Sequence, residues 1–393
     1  MNNKDIYVIG YGMTKFGEFY NESSSSLASK ALFESIKNSN IAKEKVQSVF
    51  FGSLVSSTNS QPSIGIACIR ENNMSVPVTR LEAGNASGAA AFHQAYSSVI
   101  SGLYDCVAVV GIEKLSDYIN NETIERILSS TIDFQWEFEM GATLTSLYAI
   151  LTKAYMKEHN ATLEQLAAVP VKNHKNGVHN PYAQFRREIS IDRFLKAKRI
   201  ADPIGRFDPA TYCDGSSSVI IASSKFVNEH TDIETKVPIL GLGQASDSLA
   251  LHHRHSLTSL SSTENAVNRA YKIANINAAN IGVAEVHDSF PIGEILAIED
   301  LGFFAKGEGA KATENGETAI NSKITINPSG GLKARGDPFG ATGIAQIVEI
   351  VEQMRGNAKE RQADNCNYGL TQNVQGTGAM TYVSIFAQNE VKK

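Results

Sequence analysis

Short runs of apolar and β-branched residues, mostly bounded by glycine, alternate along the chain with longer stretches whose apolar positions recur every three or four residues. IYVIGYG (6–12), SVFFGSL (48–54), CVAVVGIEK (106–114) and SSVIIAS (217–223) predict buried strands. Between them, SSLASKALFESIKNSN (25–40) and ASGAAAFHQAYSSVISG (86–102) predict helices. Strands alternating with helices predict an α/β protein.

The plan then repeats. VPILGLGQAS (237–246) echoes the first strand, STENAVNRAYKIANIN (262–277) reads as a helix, and VAEVHDSF (283–290) reads as a strand leading into another helix. GDPFGATGIAQIVEIVEQMRG (336–356) echoes GNASGAAAFHQAYSSVISG (84–102), and YGLTQNVQGTGAMTYVSIF (368–386) closes a second sheet. Asn85 and Asp337 hold matching places, each with a glycine three residues later (Gly88, Gly340) and an apolar helix beyond. That shared offset suggests duplication. It divides the chain into a first half, 1–235, and a second, 236–393. MGATLTSLYAILTKAYMKEHN and TLEQLAAVPVKNHKNG place further helices in an insertion at about 115–205.

Composition narrows the function. With 36 Lys and Arg against 41 Asp and Glu, the net charge is −5, which argues against nucleic acid as the main partner. The four cysteines, Cys68, Cys106, Cys213 and Cys366, are scattered and form no C-x-x-C pair. They suit a reducing, cytoplasmic setting. The opening MNNKDIYVIGYG does not read as a secretory leader, and no apolar run approaches the ~20 residues of a membrane span.

Five further segments carry a family resemblance: NPYAQFR (180–186), ADPIGRFDPATYCDGSSSVIIAS (201–223), EVHDSFPIGEILAIEDLGF (285–303), NPSGGLKARGDPFGATGIAQ (327–346) and LTQNVQGTGA (370–379). In order and spacing the chain resembles the thiolase superfamily, in the branch of the archaeal and sterol-carrier-protein-type thiolases. The resemblance implies a five-layered αβαβα fold of two duplicated halves with an inserted loop domain. It implies a homodimer or dimer of dimers and coenzyme A thioester substrates without a metal. A small zinc-ribbon/OB-fold partner protein is a further implied associate.

In such enzymes a cysteine at a helix start takes the acyl group, and a histidine in GHPxGATG removes its proton. An HDCF-type segment supplies an oxyanion-hole histidine and a second cysteine. A helix N-terminus favours the thiolate, and the covalent thioester splits one hard step into two. In this chain the resemblance places Asn85 at the nucleophile position, Asp337 at the base and Ser289 at the second cysteine, while His287 is kept with Asp288 beside it. Asn85 and Gly378 are the expected oxyanion-hole donors, and Gly340 and Gly376 the expected substrate contacts. A carboxamide has no proton to lose near neutral pH, so no acyl-enzyme is expected on Asn85.

Plainer roles stand beside these. Asn and Asp are strong helix N-caps, so Asn85 and Asp337 could simply cap two helices. His287 and Ser289 could be structural, and the glycines could serve only a tight turn. LHHRHS (251–256) reads as a solvated loop, and Lys172, Lys175, Arg186 and Arg187 as a solvated surface, the alternative being coenzyme A phosphates. Three functions follow: an enzyme that stabilises thioester enolates without acylation, an acyltransferase with a replaced nucleophile, and a non-catalytic subunit.

Overall fold

The computed structural model describes residues 5–55, 63–117, 121–233 and 236–388. The first half runs β1 (Ile6–Met13), α1 (Ser24–Asn38), β2 (Val49–Gly52), α2 (Ile64–Glu71), β3 (Val78–Leu81), α3 (Ser87–Ile100) and β4 (Cys106–Glu113). Then come α4 (Asn121–Ser129), α5 (Leu144–His159), α6 (Leu163–Gly177), α7 (Ile191–Leu195) and a ribbon of β5 (Arg199–Ala201) and β6 (Ile204–Gly205). The chain returns through β7 (Gly215–Ser223) and α8 (Ser224–Glu229). The second half runs β8 (Val237–Ser246), α9 (Ser261–Ala274), β9 (Val283–Glu285), α10 (Pro291–Asp300), α11 (Gly309–Glu314), β10 (Thr325–Ile326), α12 (Gly331–Arg335), α13 (Phe339–Met354), β11 (Tyr368–Gln375) and β12 (Met380–Ala387).

Strand pairing makes the repeat explicit. In the first half β3, β2 and β4 are parallel, with β7 antiparallel to β4 and β1 antiparallel to β7. In the second, β10, β9 and β11 are parallel, with β12 antiparallel to β11 and β8 antiparallel to β12. The orders β3-β2-β4-β7-β1 and β10-β9-β11-β12-β8 are one topology used twice. They join edge to edge where Tyr7 pairs with Pro238 and Val8 with Val237.

Period-two alternation assigns the layers. On β1, Ile6 and Val8 face a cluster holding Phe92 and Val99 of α3, Ile344 and Val351 of α13, and Val283 and Phe386 of the other half-sheet. Tyr7 and Ile9 face the opposite way, onto Leu27 and Leu32 of α1 and Ile64 of α2. Val267 and Ala270 of α9 and Ala297 and Ile298 of α10 cover the outside of the second half-sheet. The result is the five-layered αβαβα arrangement, with α3 and α13 in the middle. Both faces of each half-sheet are covered, which is why the strands read as continuous apolar runs. Burying a side chain such as Phe92, 0% exposed, stabilises by about 1.5–3 kcal/mol. No helix of the described residues is long and apolar enough to cross a membrane.

The helices start where local chemistry allows. Capping boxes open α5 (Thr143 with Ser146) and α6 (Thr162 with Gln165). The tips of α3 and α13 pack backbone to backbone, since a Cβ at Gly88 would lie 2.3 Å from Gly340 O. Gly88→Ala is therefore expected to destabilise the fold by about 1–3 kcal/mol through overpacking, measured as a lower urea midpoint. An unchanged midpoint would mean that the tips separate freely.

Candidate active site

Asn85 lies in the turn entering α3 and is 2% exposed. Ser87 ties this turn, its Oγ accepting from Ala83 N at 2.9 Å and donating to Gly84 O. The N-cap of α3 is Ala86, with no side-chain cap bond, and Asn85 Oδ1 has no hydrogen-bond partner among the described residues. The capping role considered for Asn85 is thus corrected: its amide is buried without serving the helix.

Asp337 gives the same result at the other tip. The N-cap of α13 is Pro338, again without a side-chain cap bond. Asp337 is fully buried; Oδ1 accepts from Thr342 Oγ1 at 2.6 Å, and Oδ2 has no partner among the described residues. Burial pushes its pKa up to about 7, against the Thr342 hydrogen bond and the Arg335 charge. Capping of α13 falls instead to Glu113, at the end of β4. Its carboxylate accepts from Gly340 N at 3.1 Å and also from Ser53 Oγ, Leu54 N and Val55 N. Glu113 was not legible as a site residue, because its partners come from two distant segments. Gly340 is correspondingly a packing residue: its N–H is held by Glu113, and a Cβ would lie 2.6 Å from Gly52 O. The N–H of Gly340 is thus already committed to Glu113.

His287 is 2% exposed. Its backbone N–H donates to Gln372 Oε1 at 2.9 Å, and its Nδ1 lies 3.0 Å from Asn373 Nδ2. Burial, aided by the Arg335 charge, lowers its pKa to about 3, so the ring is neutral. Asp288 points elsewhere. It takes Leu332 N at 2.6 Å and Lys333 N at 3.2 Å, satisfying the start of α12, and Asn173 Nδ2 at 2.7 Å. Successive residues join the two segments: Ala210 N donates to Ser289 O and Asp337 N to Thr211 O.

The glycine turn closes the site. Gly376 has φ +55, and a Cβ there would lie 2.1 Å from Thr131 O, so only glycine fits. The Gly378 N–H already closes the turn onto Gln375 O at 3.0 Å; it would serve an oxyanion only as a shared donor. Two residues pin the turn. Tyr148 of α5 donates its hydroxyl to Gly376 O at 2.9 Å and accepts from Ser289 Oγ at 3.2 Å. Burial pushes that phenol up to about 12, so it stays protonated. Arg254 donates to Thr377 Oγ1 at 2.9 Å and to Thr377 O. The solvated-loop expectation therefore holds for His252, His253 and His255, which are exposed, but not for half-buried Arg254. Tyr148 reads in sequence as one more apolar position of an amphipathic helix, and nothing marked it out.

The other basic cluster divides similarly. Lys175, Arg186 and Arg187 are exposed, whereas Lys172 turns inward to Glu294 at 2.8 Å and Ile326 O. Beside the Asn85 turn lies a cleft of ≈ 660 Å³, lined by Ala83, Glu82, Arg126, Ile127, Gln375 and Met380 among others. All four cysteines are buried, and burial pushes each thiol above its ordinary range. Among the described residues no group of three or more His, Cys, Asp or Glu is placed to hold a metal ion.

The family model for the thiolase N-terminal domain matches residues 6–223, and that for the thiolase C-terminal domain-like region matches 243–388. The chain belongs to the thiolase family. Among thiolase-family relatives it is 38% identical to an acetyl-CoA acetyltransferase of Methanothermobacter thermautotrophicus, covering 98% of this chain and 100% of the relative. It is 28% identical to sterol carrier protein 2 of Bos taurus, over 97% of this chain and 72% of the relative. The solved Ltp2-ChsH2(DUF35) aldolase has the same fold, with a TM-score of 0.84 at 20% identity and 99% of both chains covered.

Proposed function

We propose that this thiolase-family protein makes or breaks a carbon–carbon bond next to a coenzyme A thioester by holding the enolate, with no acyl group passing to a cysteine. One observation supports the reading: the imidazole of His287 is buried and neutral and the carboxyl of Asp337 is buried and titrates near pH 7, while the family resemblance puts Asn85 at the position of the thiol. Of the reactions that pass through a thioester enolate, retro-aldol cleavage suits this pair best. Asp337, ionised, takes the proton of a β-hydroxyl. The bond between Cα and Cβ breaks, leaving a carbonyl product and an enolate whose oxygen is held by an N–H of His287. The proton then goes to Cα. A substrate with a β-carboxylate fits less well, because its charge would meet Asp337 in a buried setting.

Identity to an acetyltransferase supports a second reading, in which Asn85 replaces an active nucleophile. The two separate cleanly. Incubation with acetyl-CoA in D2O is expected to give deuterium at the acetyl methyl and no acetyl-sized mass increase on the intact protein. An acetylated wild-type chain, or vigorous thiolysis restored by Asn85→Cys alone, would sink the first reading. The proposal extends to assembly as a homodimer, with a small zinc-ribbon/OB-fold protein as a further partner.

A further inference from the structure

We infer that Asn373 is a positioning residue that fixes which ring nitrogen of His287 carries the proton, presenting Nε2–H to the substrate oxygen. The inference rests on the enolate reading only for what the proton is used for; the tautomer itself is tested separately. A neutral imidazole has one N–H, and the partner of its other nitrogen decides where that proton sits. Asn373 is 1% exposed on β11, with its amide nitrogen 3.0 Å from His287 Nδ1. An amide nitrogen can only donate, so Nδ1 accepts and the proton is left on Nε2.

The surroundings decide which way the amide is turned. Asn373 Oδ1 and Ala89 N lie 2.9 and 2.8 Å from one point, the place a Cβ on Gly343 would occupy. Ala89 is in the first turn of α3, where N–H groups lack intrahelical acceptors and the helix end carries positive potential. Asn373 Oδ1 makes no hydrogen bond among the described residues, but the positive potential at that helix end favours the amide oxygen over the nitrogen there, which leaves the nitrogen facing His287. Gly343 keeps the space open, since any side chain there would press on Asn373. Gln372, one residue earlier, fixes the His287 backbone through its Oε1 and is itself anchored by its Nε2 on Thr263 Oγ1 at 3.2 Å. Two neighbouring residues of β11 thus set the backbone and the ring of one histidine.

The test is long-range 1H–15N spectroscopy of the full-length protein labelled with 15N-histidine. His287 is identified among the nine histidines by its loss in His287→Ala. The wild-type ring is expected as the neutral Nε2–H form near pH 7. In Asn373→Asp the carboxylate accepts instead, so the signal is expected to switch to the neutral Nδ1–H form. Deuteration of acetyl-CoA should then fall about 10²–10³-fold, the usual effect of losing one oxyanion donor, with little change in KM. A wild-type ring protonated on Nδ1 overturns the inference without need of any variant, as does an unshifted ring in folded Asn373→Asp. If the tautomer follows Asn373 but His287→Ala exchanges deuterium undiminished, the positioning role stands and the enolate reading fails.

Discussion

Replacing His287 with alanine is expected to slow α-deuteration of acetyl-CoA about 10²–10³-fold, the usual effect of removing one preorganised donor from an oxyanion site. The reason is electrostatic. The ring is buried and neutral, with a pKa lowered to about 3, so its N–H is fixed in a low-dielectric setting and needs no reorganisation when charge develops on the thioester oxygen. The effect belongs in kcat, because the ground-state carbonyl gains little from the same donor. Single-turnover exchange followed by mass spectrometry separates the two, with near-UV circular dichroism as the control for folding. An unchanged kcat with a raised KM would make His287 a binding group only.

Asp337→Asn is expected to abolish exchange while stabilising the fold at alkaline pH. In the folded chain the Asp337 carboxyl keeps its proton up to about pH 7, whereas an unfolded aspartate releases it near pH ~4. Between those values the folded state binds more protons, so this group's contribution to stability is full below pH ~4 and is lost as pH rises through about 7. Asparagine lacks that dependence. Stabilities of the two proteins should therefore converge in acid, draw apart as pH rises from ~4 to about 7 and stay apart above it, with the variant the more stable. Exchange in the wild type should rise through the same window, since the ionised form is the base. A wild-type rate that falls with rising pH would make Asp337 the acid instead.

Much of the fold was legible because the duplication is written into the hydrophobic pattern. The β8 run 237–246 and the helices α1, α3, α9 and α13 fall within a few residues of their expected ends. The short parallel strands β3 and β10, of four and two residues, were not, since so brief a run carries no period. His287, Asn85, Asp337 and Ser289 could be singled out because each stands in a recognisable motif. Tyr148 and Glu113 could not; Arg254 was read as part of a solvated loop, and Asn373 lay in LTQNVQGTGA with no role of its own. They act on groups 58 to 228 positions away, and in sequence each looks like an ordinary helix, loop or strand residue. Gly376 shows the converse: its conformation and the closeness of Thr131 account for it fully, whatever chemistry the turn also serves.

The carboxylate of Glu113 belongs to one repeat and satisfies the helix start of the other. Such a borrowed cap frees the side chain at 337 from capping the helix, so the chemistry at that tip is an exchangeable part. Histidine, aspartate or another side chain could be tried there over evolutionary time while the architecture stays intact, which makes this corner of the molecule a natural place for new reactions to arise.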